Sequence, residues 1–260
     1  MMVEHPEKVI DGLRIAAYVV NAGAMKIGVE VNKPDAIDAL KKAARGMDIE
    51  ICPLKVKYPQ GGEKQLINAI TGRQVPSGKL PMDAGCVVLN VSTAAFLSDA
   101  LRKGHPVTER IITVTGLVHK PCNLKVRVGT AIGEVIKQAG GAIPGANKVV
   151  LGGPMMGMSA YSLNAPTVKA TGGILVMFDE SRHNSEPGNC IRCASCVGAC
   201  PMGLLPLNIY ALSRRERFDE ARAREHAMDC IECGCCAYVC PAKLPLVQMI
   251  RVAKRAKSGK

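Results

Sequence analysis

The chain has 260 residues, 48% of them hydrophobic and 22% charged, the balance of a folded globular protein and not of a disordered, collagen-like or mucin-like one. Its length allows one large domain or two to three small ones. Lys and Arg outnumber Asp and Glu by 34 to 22, giving a formal charge of +12, and 12 cysteines accompany only 3% aromatic residues and no Trp: a basic surface suits nucleic acid, an anionic membrane face or an acidic protein, but stacking on single-stranded bases is poorly provided for.

At the start, Glu4, His5 and Glu7 are unlike the basic flank and apolar centre of a cleavable signal, so the chain is expected to be made and kept in the cytoplasm. Val9, Leu13, Ala16, Ala17 and Val20 recur at helical spacing, and Asn21-Ala22-Gly23 closes that helix. Residues 26–31 alternate as a short strand. Pro34 opens a helix carrying Ile37, Leu40 and Ala44, which Gly46 ends, and 49–56 is a further strand. After a loop with Tyr58, Pro59, Gly61 and Gly62, residues 63–70 form a short helix, 87–91 a buried strand and 94–102 another helix. The longest apolar run, 85–97, is interrupted by Asn90, Ser92 and Thr93 and falls short of the roughly 18–20 residues that span a bilayer. Helices alternating with strands predict an open, mostly parallel α/β sheet. That sheet looks incomplete, because a helix comes first.

From residue 109 to 158 the pattern changes. Residues 111–115 and 124–128 are β-rich runs joined through Gly116 and Pro121-Cys122-Asn123, an amphipathic helix over 130–139 ends at Gly140-Gly141, and 148–151 is a strand. Strand, strand, helix, strand is the economy of a small β-grasp module. Residues 161–180 read as a linker with two short apolar runs. From residue 189 on there are two similar cysteine blocks, separated by 207–226, which is helical by pattern with Ile209, Leu212, Phe218 and Ala221 on one side and an Arg/Glu face on the other. The expected organisation is therefore a partial α/β domain over 1–108, a β-grasp module over 109–160, a linker over 161–188 and a helical two-part domain over 189–260.

Each block reads Cys-x2-Cys-x2-Cys-x3-Cys-Pro: Cys190, Cys193, Cys196, Cys200 and Pro201, then Cys230, Cys233, Cys236, Cys240 and Pro241. So many cysteines without a secretion signal argue for metal ligation over disulfides. Three cysteines at this spacing lie on a loop that wraps one face of an iron–sulfur cubane, and the fourth, before proline, is carried along the chain to the other cluster. This assigns Cys190, Cys193, Cys196 and Cys240 to one [4Fe–4S] cluster, and Cys230, Cys233, Cys236 and Cys200 to a second. Two Cys-x2-Cys pairs can also bind zinc tetrahedrally, but zinc sites rarely add a third cysteine two residues on and a fourth before proline. Colour separates the two, zinc protein being colourless and cluster protein brown. Cys235 reads as a small neighbour of a ligand, and Cys52, Cys86 and Cys122 as buried thiols. A cluster passes one electron at a time and accepts no hydride, so two of them fused to an α/β domain suggest a relay from a two-electron cofactor.

Residues 57–66 (Lys-Tyr-Pro-Gln-Gly-Gly-Glu-Lys-Gln-Leu), 71–76 (Thr-Gly-Arg-Gln-Val-Pro), 88–93 (Val-Leu-Asn-Val-Ser-Thr), 152–157 (Gly-Gly-Pro-Met-Met-Gly) and the two Cys blocks resemble the RnfC family, which belongs to the Rnf complex, the ion-translocating ferredoxin:NAD⁺ oxidoreductase of bacterial membranes. The resemblance runs through essentially the whole chain. The family is also similar to the NADH-binding, flavin-carrying subunit of respiratory complex I, and more distantly to the cobalamin reductase of propanediol microcompartments, which is the alternative reading. It implies a complex I flavoprotein-like α/β domain binding FMN and NAD(H), a soluble-ligand-binding (SLBB-like) β-grasp module, and an all-α ferredoxin domain with two [4Fe–4S] clusters.

Residue by residue, Gly61 and Glu63 match positions near nicotinamide and flavin, and Asn90 and Thr93 match the flavin-binding strand end. Taken alone, Gly61-Gly62 is as well explained by a turn, and Asn90 and Thr93 by helix capping. The family's glycine-rich phosphate-binding loop has no counterpart here, and such a loop presents backbone N–H groups to phosphate. The resemblance therefore implies an N-terminally truncated form that keeps both clusters and binds FMN and NADH weakly or not at all. The implied role is an electron-transfer subunit working with ferredoxin, NAD(H) and membrane subunits, peripheral on the cytoplasmic face of the inner membrane, with the basic balance suiting anionic lipid or an acidic ferredoxin. A nucleic-acid-binding role has neither a helix-turn-helix nor a Cys₂His₂ finger to support it. His5, His105, His119, His183 and His226 fall in no metal or triad spacing. The 152–157 run reads as a ligand-facing loop or a tight turn packed by methionines.

Overall fold

The computed structural model describes residues 1–179 and 186–256; His183 and the last four residues of the basic tail lie outside them. The chain divides into two compact units, Met1–Val107 and the residues from Thr108 on.

In the first unit, Pro6 and Pro34 stand at the first turns of α1 (Pro6–Val19) and α2 (Pro34–Ala43), where a fixed φ helps and the missing N–H costs nothing. Strands β1 (Lys26–Glu30) and β2 (Glu50–Leu54) pair in parallel with Lys26 beside Glu50. Alternation along β1 buries Ile27 and Val29 in one cluster with Ile37 and Leu40 of α2. At Gly28, a Cβ would lie within 3 Å of side-chain atoms of Leu54 and of Leu66 and Ile70 from α3 (Glu63–Thr71). Helix α4 (Val91–Lys103) packs on α1 through small residues: Gly12 meets the Ala94 backbone, and Ala95 and Ser98 are buried.

Residues 87–91, expected as a buried strand, are not one. Val87 is 61% exposed, and Asn90 turns the chain into α4 by accepting the Ser92 N–H at 2.9 Å. An apolar run alone does not separate a strand from a helix entry, and here the N-cap decides. Among the described residues this unit's sheet has two strands.

Asp11 on α1 accepts hydrogen bonds from the Ser98 hydroxyl at 2.8 Å and from two nitrogens of Arg102 at 2.8 and 3.1 Å. The Arg102 guanidinium, helped by Ser98, holds the Asp11 carboxyl below the usual carboxylate range against partial burial. Lys103 and Lys8 do the same for Asp99. A depressed native pKa contributes stability that is present above the unfolded value and lost as pH falls through the native one. The first unit should therefore weaken as pH falls below about 4. Asp11→Asn should lower stability at neutral pH and flatten this acid limb, which urea denaturation at pH 7 and pH 3 checks.

The second unit begins with a five-stranded sheet in the order β4-β3-β7-β5-β6. Strands β3 (Glu109–Gly116) and β4 (Cys122–Arg127) form the expected hairpin. Helix α5 (Ile132–Gln138) follows, then β5 (Lys148–Leu151), β6 (Met158–Ser159) and β7 (Gly173–Met177). Strand β7 lies between β3, to which it is parallel, and β5, to which it is antiparallel. Residues 161–188, expected as linker, thus contain the central strand. Its Ile174 and Val176, 1% and 2% exposed, join Ile112, Val114, Ile132 and Val135 in the core. Five residues are too short for periodicity to distinguish a central strand from an apolar linker.

The rest of the unit is helical: α6 (Ser195–Gly198), α7 (Pro206–Arg214), α8 (Phe218–Ala223), α9 (Cys235–Tyr238) and α10 (Leu246–Arg255). The single helix expected over 207–226 is broken between α7 and α8, where Glu216 takes φ 57°. Ile209 and Ala221 are nonetheless both fully buried in one cluster with Ile250 and Ala253 of α10. No helix of the described residues is long and apolar enough to cross a membrane.

Candidate metal centres

The two cysteine blocks fold alike, forty residues apart in register. Each opening loop holds two residues in the left-handed region, Arg192 (φ 55°) and Ala194 (59°) in the first block, Glu232 (58°) and Gly234 (85°) in the second. A third such residue, Gly203 (64°) or Lys243 (51°), follows the last cysteine of each block. Four of these six are not glycine, and left-handed backbone at non-glycine residues is uncommon, costly and concentrated at functional sites. The third cysteines, Cys196 and Cys236, lie within the one-turn helices α6 and α9 and are buried. Cys200 and Cys240 come after those turns and so leave their own loops.

Two cavities result. One, about 370 Å³ including its open mouth, is lined by Cys190, Cys193, Cys196 and Cys240, with Leu207, Leu244 and Leu246 among its walls. The other, about 340 Å³, is lined by Cys200, Cys230, Cys233 and Cys236, with Leu204, Val247 and Ile250. Each cavity takes three cysteines from one block and the fourth from the other. Apart from Arg192 at the first, the remaining lining of both is apolar. Among the described residues, no three His, Cys, Asp or Glu side chains converge closely enough for a single metal ion. Four thiols spread around an apolar cavity fit a multi-iron sulfide body, whose ligands are thiolates, better than one zinc ion.

The thiols need a cation to become ligands. Burial pushes Cys236 up to about 12 and Cys235 up to about 11, and it raises Cys196 and Cys230 as well. Cys193 is instead lowered, by its hydrogen bond with the Ser195 hydroxyl, at 3.4 Å. Metal binding here must therefore release protons. At the second site the Glu232 N–H donates to Cys230 Sγ at 3.4 Å.

The two sites differ in cover. Cys190 and Cys193 are exposed, whereas Cys233 and Cys236 are buried. The 152–157 run contributes at the second site: a Cβ on Gly234 would lie 3.0 Å from the Met155 carbonyl oxygen and 3.4 Å from its Cε. The run is a tight turn, closed by Gly157 N–H to Gly153 O at 2.8 Å, and Met155 sets it against the cysteine loop.

The residues matched to flavin and NAD(H) are not gathered in the same way. Gly61 lies in the exposed loop before α3, Glu63 is the first residue of α3, and Thr93 is exposed on the first turn of α4. The Asn90 side-chain oxygen is engaged as the α4 cap. None of the four lines either cavity, and a Cβ at Gly61 would meet nothing within 4 Å. All four residues are exposed and, as placed, do not by themselves wall a flavin. Cys52, Cys86 and Cys122, expected as buried, are only half-buried. Sequence reading passed over Glu232, Arg251 and Lys254, whose ion pairs border the second site; superposing the two blocks would have flagged Glu232, which stands where the first has Arg192.

Comparison with known families finds three domain types along the chain. The Nuo51 FMN-binding domain matches residues 1–99, the SLBB domain 111–159 and the 4Fe-4S dicluster domain 189–244. The chain is 49% identical over 219 residues to the RnfC protein of the Na⁺-translocating ferredoxin:NAD⁺ oxidoreductase complex of Acetobacterium woodii, covering 83% of this chain and 49% of that protein. The proton-translocating counterpart of Clostridium ljungdahlii is 42% identical, covering 83% and 47%. The corresponding member of the ion-translocating oxidoreductase complex of Erwinia tasmaniensis is 45% identical, covering 82% and 27%. The fold is similar to a chain of an H₂-reduced NAD⁺-reducing [NiFe]-hydrogenase, with a TM-score of 0.60 at 19% identity, covering 97% of this chain and 53% of that one.

Fold and thiol cavities together define a two-cluster iron–sulfur protein with an FMN-binding-domain-like region and an SLBB module. More particularly, the chain belongs to the RnfC family of Rnf-type ion-translocating oxidoreductase complexes. It spans about half the length of the first two of these relatives.

Proposed function

We propose that this chain is the electron-transfer part of an RnfC protein in a membrane-bound, ion-translocating ferredoxin:NAD⁺ oxidoreductase. The observation that carries this reading is the pair of cavities, each ringed by four cysteines drawn from both blocks. A [4Fe–4S] cluster in each supplies one-electron transfer at a potential set by charge, hydrogen bonds and exposure. The chain's own part is to hold eight thiolates in place, to keep water from the second site with Leu204, Val247, Ile250 and Met155, and to leave the first, with exposed Cys190 and Cys193, open to a partner.

Sharing the fourth cysteine ties the two sites together in one small helical core. On family resemblance, Gly61, Glu63, Asn90 and Thr93 contribute to the border of a flavin and NAD(H) site without walling it by themselves. The formal charge of +12 favours docking on anionic lipid or an acidic ferredoxin, consistent with a peripheral position on the cytoplasmic face of the inner membrane beside the integral subunits.

Anaerobic reconstitution followed by dithionite titration tests the reading. The protein should be brown, bleach on reduction and accept about two electrons per chain, one per cluster. A colourless protein that retains zinc would overturn it.

A further inference from the structure

The two cysteine blocks match position for position, yet their charges do not. Glu232 in the second loop stands where the first has Arg192, Arg251 on α10 where α7 has Ala211, and Lys254 where α7 has Arg214. In the second block the three charges lock together. Lys254 Nζ donates to Glu232 Oε1 at 2.7 Å and to the Cys230 carbonyl oxygen at 2.9 Å, and Arg251 Nε donates to Glu232 Oε2 at 2.6 Å. All three side chains are at least two-thirds buried, with 24% exposure for Glu232, 33% for Arg251 and 20% for Lys254. In the first block, Arg192 is exposed and Arg214 lies over the Tyr210 ring instead. Two cations and one carboxylate leave one net positive charge fixed on the backbone of the first cysteine of the second site, where partial burial limits screening by salt.

Given the cluster reading above, on which this rests, we propose that Lys254 is a positioning residue for the second site: anchored by Glu232 on the Cys230 carbonyl, it fixes a positive charge there that raises the reduction potential of the second cluster and not of the first. Reduction adds one negative charge to a cluster, so a fixed neighbouring cation favours the reduced state. The carboxylate of Glu232 has the opposite electrostatic sign while holding the lysine in place.

The test is a redox titration of the reconstituted full chain, followed by electron paramagnetic resonance with iron content measured in parallel, on Lys254→Gln, Lys254→Arg and Glu232→Gln. Lys254→Gln should move one of the two reduction steps to lower potential, Glu232→Gln should move that same step to higher potential, and Lys254→Arg should leave it near the wild-type value. Iron content should stay unchanged in all three. The proposal is overturned if both steps stay in place with iron retained, if the Gln variants move a step in the same direction, or if they only lose iron, which is the signature of a purely structural clamp. A wild-type chain that binds no iron fails the cluster reading itself, before any variant is compared.

Discussion

Cys200→Ala should abolish the intact cluster of the second cysteine block while leaving the first block's cluster in place, although Cys200 belongs to the first block in sequence. Cys240→Ala should do the reverse. The reason is the lining of the cavities, Cys200 with Cys230, Cys233 and Cys236, and Cys240 with Cys190, Cys193 and Cys196. The structural effect should be as large as the spectroscopic one. Cys196 and Cys236 sit in one apolar cluster with Leu244, Leu246 and Val247, and Cys200 and Cys230 pack against another around Ile209 and Ile250. An emptied site leaves left-handed loops with no metal to hold them, and metal binding in small structural sites supplies on the order of 10 kcal/mol of folding free energy. The thermal unfolding of the helical domain should therefore shift steeply downward in either variant, and the low-temperature spectrum of the reduced protein should show one cluster where the parent shows two.

Gly12→Ala should cost about 3 kcal/mol or more, the upper range for overpacking, even though alanine is favoured over glycine inside a helix by about 1 kcal/mol. A Cβ at residue 12 would lie 1.8 Å from the carbonyl oxygen of Ala94 and 2.4 Å from its carbon. Both are backbone atoms, so no rotamer change relieves the clash. Helices α1 and α4 would have to separate, exposing Ala95 and Ser98 and pulling on the Asp11–Ser98 and Lys8–Asp99 bonds. Gly23→Ala is the control, since a Cβ there meets nothing within 4 Å. Urea denaturation of the full chain should show the first unit strongly destabilised by Gly12→Ala and nearly unchanged by Gly23→Ala.

Much of this was legible in the residues because the chemistry is local. Cys-x2-Cys-x2-Cys-x3-Cys-Pro carries its geometry in its spacing, and Pro6, Pro34 and the apolar alternation at Ile27 and Val29 mark helix starts and a half-buried strand without help from tertiary structure. The hidden features depend on distant neighbours. Residues 173–177 become a strand only because β3 and β5 lie on either side of them. The run ending at Leu89 becomes a helix entry because the Asn90 side chain caps α4. The break at Glu216 is a backbone choice that the continuing Arg/Glu periodicity conceals. Near the second site, the roles of Met155 and Lys254 follow from contacts with Gly234 and Cys230, which no spacing rule connects to them.

The exchange of fourth cysteines is tested most directly by counting intact clusters in two double variants, reduced anaerobically and read by electron paramagnetic resonance with iron analysis. Cys200→Ala with Cys230→Ala removes two thiols from one cavity and should leave one intact cubane, with about four irons. Cys190→Ala with Cys200→Ala removes one thiol from each cavity and should leave no four-thiolate cluster. If each block instead holds its own cluster, the outcomes change places, with the Cys190 and Cys200 pair keeping one intact cubane and the Cys200 and Cys230 pair keeping none.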